Sequence, residues 1–271
     1  MLGSVVGDLF AADGARRNPE LRRAAMRRQV AEVGFVRVDA LAERYGVSIM
    51  TVHRDLDELE KTGFLHKVRG GATSAPTRTF HGDLDHRMQA QVDAKLAIAR
   101  EVLATEVEPG QVIALDDSTT SLMLARLLPQ RAPLTVVTHF LPVIRALGAE
   151  PGIEVIGLGG HYDAAYDSFL GQATADAAAG LRADLLFLST TAVTDGACYI
   201  QSLETVITRR ALIASAARSV AMIDHTKFER RALHRLVDLA ELGRVVVDGG
   251  TAPTTVRTLQ ARGVRIDVAL D

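Results

Sequence analysis

The stretch Val38-Asp-Ala-Leu-Ala-Glu-Arg-Tyr-Gly-Val-Ser-Ile-Met-Thr-Val-His-Arg-Asp-Leu-Asp-Glu-Leu-Glu-Lys61 reads as two short amphipathic helices joined at Gly46. Val38, Leu41 and Ala42 give the first an apolar face ending near Tyr45, and Gly46 can take the left-handed conformation that stops a helix. Ser48 is placed to accept hydrogen bonds from the free N–H groups that open the second helix. There Ile49, Val52, Leu56 and Leu59 recur at helical spacing and are expected to pack inward. The opposite side carries Met50, Thr51, His53 and Arg54 in the first turns, then Asp57, Glu58 and Lys61. Phosphates repel carboxylates, so only the N-terminal half of this helix can face a duplex. That is the helix-turn-helix pattern, whose second helix enters the DNA major groove. Arg54 suits guanine, and Thr51 suits a phosphate or a thymine methyl group.

Outward from this core, Lys61-Thr-Gly63 ends the helix. The run Phe64-Leu-His-Lys-Val-Arg-Gly-Gly71 then alternates like a short hairpin with basic tips, a wing placing Lys67 and Arg69 on the phosphate backbone. The expected DNA contacts are thus Ser48, Met50, Thr51, His53, Arg54, Lys67 and Arg69. Arg16, Arg17, Arg22, Arg23, Arg27 and Arg28 bracket the helix before the motif, and some are within reach of phosphates. Residues 1–80 carry 13 Lys+Arg against 10 Asp+Glu, a net of +3; the rest carries 18 against 23, a net of −5, and together they give the formal −2. A modestly basic head beside an acidic body localises DNA binding to the head.

At 271 residues the chain has room for a small head and a larger body. The single cysteine, Cys198, excludes a disulfide within one chain and fits a reducing, cytoplasmic compartment. No apolar run reaches the roughly 18 to 20 residues that span a membrane. Residues 1–10 lack a basic n-region, so a signal peptide is not expected. The pattern divides the chain into a flexible extension (1–18), a winged helix-turn-helix (19–73), a linker (74–91) around Pro76 and an effector-sensing domain (92–271).

In the last of these, short β-branched runs at 112–115, 134–137, 154–158, 185–188, 220–223, 245–247 and 264–268 alternate with helical patterns at 121–128, 140–147, 174–181 and 206–217. Continuous apolar strands separated by helices predict an α/β, doubly wound and mostly parallel sheet covered on both faces. Ligands bind such sheets beyond the carboxyl ends of the strands. Six runs are followed there by polar or glycine residues, among them Asp116-Asp-Ser-Thr-Thr120, Gly159-Gly160 and Asp224-His-Thr-Lys227. Ser118, Thr119 and Thr120 open a helix and suit an anion such as phosphate. Lys227 adds positive charge, Asp116 can accept from sugar hydroxyls, and Gly159 and Gly160 allow close backbone approach. No catalytic triad is legible, and His53, His66, His81 and His86 are too scattered for a metal site. Neither a metal nor another cofactor is expected.

The runs 47–56 and 64–72 resemble the DeoR-type winged-helix repressors of sugar metabolism: the serine, the threonine, Arg54-Asp-Leu56 and the wing glycines fall in register. The resemblance continues through Lys95-Leu-Ala-Ile-Ala99, residues 116–120, 134–138, Gly159-Gly160, Gly171 and Asp224-His-Thr-Lys-Phe228, and covers about residues 21–250. It implies a sensor domain similar to the ribose-5-phosphate isomerase fold that takes phosphorylated sugars or polyols through Asp116, Thr119, Thr120, Gly159, Gly160 and Lys227. The chain departs from the family at His53 (usually arginine), at Asp117 and Ser118 (usually Ser-Gly), at His139 (usually asparagine) and at Ser189-Thr-Thr-Ala-Val193. A second carboxylate at Asp117 should cost anion affinity unless it points away or is compensated.

The expectation is a non-enzymatic repressor of carbohydrate genes. Its partners would be a double-stranded operator, a phosphorylated sugar or polyol and further copies of itself, since repeated half-sites mirror protein symmetry. Two alternatives stand beside it, a sugar-phosphate isomerase-like enzyme with a DNA-binding head and an architectural DNA-binding protein without a ligand.

Overall fold

The computed structural model describes residues 18–33, 35–61, 65–68, 70–74 and 84–269. The chain forms two compact units, residues 1–80 and 81–271.

The first unit holds helix α1 (Pro19–Val33), strand β1 (Phe35–Arg37), helices α2 (Val38–Tyr45) and α3 (Ile49–Lys61), and strands β2 (Leu65–Val68) and β3 (Gly71–Ser74). Pro19 takes the first position of α1, where its missing N–H costs nothing, and Asn18 Oδ1 caps the turn by accepting from the Glu20 N–H at 2.9 Å. Met26 and Val30 meet Val38, Leu41, Tyr45, Val52, Leu56, Leu59, Leu65 and Ala72 in one buried cluster. Arg22 does not face outward as a phosphate contact: it is buried, and its Nε donates to Asp55 Oδ2 of α3 at 2.6 Å. The strands pair antiparallel in the order β1-β3-β2, which closes the wing.

The second unit is built on seven parallel strands. These are β4 (Val112–Leu115), β5 (Leu134–Thr138), β6 (Ile153–Gly157), β9 (Ala183–Leu188), β12 (Ala216–Ile223), β14 (Arg244–Val247) and β15 (Ile266–Val268), in the spatial order β15-β14-β12-β9-β4-β5-β6. Period-two alternation sends Ile113, Leu115, Leu185, Phe187, Val220 and Met222 to one core and Ala114, Leu186, Leu188, Ala221 and Ile223 to the other. The first core is closed by α5 (Val92–Glu106), α6 (Thr119–Ala125) and α7 (Leu141–Leu147). The second is closed by α8 (Gln172–Ala179), α9 (Leu203–Ser215) and α10 (Pro253–Ala261). The sheet is therefore doubly wound, as the unbroken apolar runs predict.

Three features differ from the sequence reading. The segment expected as a linker contains a helix, α4 (Leu84–Gln89), whose Leu84 and Met88 pack on the first core. A hairpin of β7 (His161–Asp163) and β8 (Ser168–Leu170) follows β6. A separate antiparallel sheet joins β10 (Ala192–Thr194), β11 (Ala197–Ile200) and β13 (His234–Asp238). At the N-terminal ends of the strands Arg244 is paired with Glu101, Glu106 and Asp267, and Arg218 with Glu106.

Candidate functional site

In the first unit Gly46 adopts φ 60° and ψ 37°, the left-handed stop, and its N–H reaches back to α2 carbonyls. Ser48 Oγ accepts from the Thr51 N–H at 3.1 Å and lies 2.9 Å from Thr51 Oγ1, so both side chains are ordered by the cap. Ser48, Met50 and Arg54 are exposed at the start of α3, and Thr51 and His53 are half-buried. Ile49, expected in the core, is 55% exposed beside Met50 at 63%. The reason is axial: Ile49 shares the helical face of Val52 and Leu56, but as the first residue of α3 it stands at the end of that face, beyond the buried cluster. An exposed isoleucine and methionine there suit thymine methyl groups. His53 turns Nδ1 into the protein, where it has no hydrogen-bond partner among the described residues.

On the wing, Lys67 is not a free cation: its Nζ donates to Asp57 Oδ1 at 2.5 Å, and its N–H to Glu60 Oε1 at 2.8 Å. This pairing holds the wing on α3 and lowers the Asp57 pKa, chiefly through the lysine's hydrogen bond. Arg69, Arg16 and Arg17 lie outside the described residues.

In the second unit the strand ends bring Asp116, Asp117, His139, Ser189, Asp224 and Asp248 together, all buried. Asp116 is occupied. Its Oδ1 accepts from the Ser118 N–H at 3.1 Å and Ser121 Oγ at 2.6 Å, and its Oδ2 from the Ser189 N–H at 2.9 Å. Arg209 Nη1 lies 2.9 Å from the same Oδ2. A carboxylate has about four acceptor positions, so those of Asp116, which the sequence reading offers to sugar hydroxyls, are engaged here by the loop and Arg209. The Ser118 hydroxyl is likewise engaged, capping α6 through the Ser121 N–H at 3.0 Å. Thr119 and Thr120 follow on the buried first turn.

Asp117 is the neighbour whose charge the sequence leaves uncompensated, and Arg209 compensates it. Arg209 Nε donates to Asp117 Oδ1 at 3.0 Å, Nη2 approaches it to 2.8 Å, and Nη1 donates to the Ser189 carbonyl at 2.5 Å. Burial alone raises the Asp117 pKa, but Arg209 foremost, with Arg87, outweighs it and holds the value at about 2. Asp117 is therefore ionised at neutral pH. Arg87 on α4 lies over the Tyr166 ring at 5.6 Å, and its charge acts on both Asp117 and Arg209.

Gly159 and Gly160 stand on the exposed rim after β6. A Cβ on Gly160 would lie 2.0 Å from Thr174 Oγ1, which itself donates to the Gly159 carbonyl at 3.0 Å. Close approach is thus real, although the partner here is α8. Lys227 sits on the turn His225–Glu229, capped by Asp224, with Nζ 3.5 Å from Asp224 Oδ2. Burial lowers the Lys227 pKa against the pull of Asp224. Nearby Lys95 is also buried, donates to the Arg87 and Ala90 carbonyls at 2.5 Å, and is brought by burial and Lys227 down to about 8. A shallow hollow lined by Gly110, Pro133, Gly152, Ile153 and Glu154 lies at the opposite strand ends and has no cation in its lining. Among the described residues no three His, Cys, Asp or Glu side chains could hold a metal ion, and no helix is long and apolar enough to cross a membrane.

A DeoR-like helix-turn-helix domain matches residues 22–78, and a DeoR C terminal sensor domain matches residues 90–249. The chain belongs to the DeoR family of transcriptional regulators. It is 31% identical over 220 residues to the L-fucose operon activator of Haemophilus influenzae, covering 81% of this chain and 88% of the relative. It is 28% identical over 232 residues to the glycerol-3-phosphate regulon repressor of Escherichia coli, covering 85% and 90%. Ribose 5-phosphate isomerase A of Methanocaldococcus jannaschii superposes with a TM-score of 0.38 at 16% identity, over 51% of this chain and 55% of that one.

In this DeoR-family chain the sequence reading missed Arg209, Arg87 and Lys95. A signal existed for Arg209, because it shares a helix face with Thr205, Val206, Thr208 and Leu212, all buried. A cation on an apolar face needs a buried counter-charge. Arg87 carried no such signal, since its segment read as linker.

Proposed function

We propose that this chain is a sugar-responsive transcriptional repressor that a phosphorylated sugar or polyol releases from a double-stranded operator. The observation that carries the reading is the buried cluster at the strand ends, where carboxylates, arginines and lysines stand desolvated around groups left without partners among the described residues. A purely architectural unit has no use for such a cluster, because unmade hydrogen bonds in an interior are costly. Repression of carbohydrate genes is supported by the relative named for the glycerol-3-phosphate regulon. The relative named as an activator makes the direction of the response part of the test.

In this reading the head (19–73) reads bases through Met50, Thr51, His53 and Arg54, with Ile49 added to that face. Ser48 and Lys67 order it, and Arg69 meets the backbone. The effector lies against Ser118, Thr119, Thr120, Gly159 and Gly160, Lys227 draws its anionic group, and Asp116 holds the loop in shape. The protein acts as a homo-oligomer in the cytoplasm, on paired half-sites. An effector that binds the DNA-incompetent state more tightly shifts the population and frees the operator.

The test selects operator DNA from a random pool with the full chain, then titrates sugar phosphates into the complex. Release supports repression by this route, whereas tightening makes the effector a co-repressor or the protein an activator. Arg54→Ala should lose DNA and keep the effector, and Lys227→Ala should do the reverse. If each variant loses both, the division of labour is wrong. Turnover of pentose phosphates by the full chain would reinstate the isomerase alternative.

A further inference from the structure

Three buried polar atoms are unpartnered among the described residues: Asp117 Oδ2, His139 Nε2 and Arg87 Nη2; Asp117 and His139 are neighbours, and the Arg87 charge acts on Asp117. His139 Nδ1 stands 2.9 Å from the Phe169 carbonyl, which only accepts, so Nδ1 carries the ring proton. Burial holds the ring below its ordinary pKa against the pull of Asp117, which leaves it neutral and makes Nε2 a bare lone pair. That lone pair lies 3.7 Å from Asp117 Oδ1, an atom already served by Arg209. The Asp117 and His139 side chains are both fully buried. Two acceptors and one donor thus await a guest. A phosphate cannot serve, because its oxygens would meet a carboxylate and a lone pair. A hydroxyl can, since it donates through its proton and accepts through its oxygen. Two adjacent hydroxyls supply both acceptors and still leave an oxygen for the arginine.

We propose that Asp117, His139 and Arg87 form a hydroxyl-reading pole of the effector site, built for a vicinal diol of a sugar or polyol and closed to its phosphate. The proposal rests on the sensor reading above and adds to it the group that sets specificity. It also reverses the expectation that Asp117 merely weakens anion binding: clamped by Arg209, it selects which end of the ligand enters.

The test uses the full chain, Asp117→Ser and His139→Asn. In Asp117→Ser the Arg209 guanidinium keeps Asp116 and the Ser189 carbonyl, so the unit should fold. Melting curves check this, and His139→Asn gives an independent route. Calorimetry measures binding of glycerol 3-phosphate, ribose 5-phosphate, glucose 6-phosphate, fructose 6-phosphate and glucitol 6-phosphate, and of single-deoxy derivatives of the tightest one. With the wild-type chain, removing one particular hydroxyl should weaken binding at least tenfold. In either variant the parent compound should lose at least tenfold, and the same deletion should cost less than twofold. Equal affinities for wild type and variants would leave the sensor reading standing and overturn the hydroxyl pole. An ordered water alone between Asp117 and His139 in a crystal of the complex would overturn it too. If no compound binds any of the three proteins, the sensor reading itself fails.

Discussion

Replacing Arg209 by methionine removes the cation hydrogen-bonded to Asp117 while nearly keeping the side chain's volume. In the native chain Asp117 Oδ1 receives Arg209 Nε at 3.0 Å, and the Ser189 carbonyl receives Nη1 at 2.5 Å. Asp116 keeps its three other donors, so the loss falls on Asp117 and on Ser189. Breaking one side of a buried ion pair costs about 3–5 kcal/mol. At roughly 2–4 °C per kcal/mol for a unit of this size, the melting temperature should fall by about 6–20 °C. The loss should also depend on pH. The wild-type Asp117 pKa, lowered from 3.8 to about 2, contributes stability present above pH 3.8 and lost as pH falls toward 2. Without Arg209 burial dominates, the folded pKa rises above 3.8, and stability is lost as pH increases through that higher value. The penalty of Arg209→Met should therefore be smaller at pH 4 than at pH 8. Urea unfolding followed by circular dichroism measures both, and the double variant Arg209→Met, Asp117→Ser should recover at least half of the loss at pH 8. A single-variant cost under about 1 kcal/mol, or no recovery in the double variant, would refute the argument.

Further outcomes concern other parts of the chain. Ile49→Ser should leave stability within about 0.5 kcal/mol, because the side chain is exposed, yet change operator preference at a thymine; Val52→Ser, at a fully buried position, should cost well over 1 kcal/mol by thermal melting. Gly160→Ala should destabilise the second unit by about 1–3 kcal/mol, since the new Cβ meets Thr174 Oγ1, and adding Thr174→Ala should relieve only the Oγ1 clash, leaving the strain of φ +156°; an unchanged melting temperature in the single variant would contradict the packing. Lys95 and Lys227 both have pKa values lowered by burial, so the unfolded chain binds more protons and stability should rise between pH 8 and 9.5. Lys95→Met should flatten part of that rise, and an unchanged slope would argue against a desolvated Lys95.

The sequence by itself determined the architecture. Capping and hydrophobic period are local properties: Gly46, Ser48 and the spacing of Val52, Leu56 and Leu59 specify the turn and the buried side of α3 without reference to anything distant. The alternation of continuous apolar strands with helices specifies a two-faced parallel sheet, and such a sheet places its ligand groups at one set of strand ends. Tertiary structure decided which polar group does what there. Asp116 and Asp117 are adjacent and chemically identical in sequence, yet one is filled by two loop N–H groups, Ser121 and Arg209, and the other keeps an oxygen without a partner among the described residues. The difference comes from Ser118, Ser121 and Ser189, whose donors all reach Asp116, whereas Arg209, 92 residues beyond Asp117, touches both carboxylates. Lys67 and Ile49 make the same point in the head: Asp57 claims the lysine from the surface, and the buried cluster stops short of the isoleucine at the end of α3. Hydrogen-bond saturation and ion pairing depend on atoms brought together to within about 3 Å by packing, and local pattern carries no information about those distances.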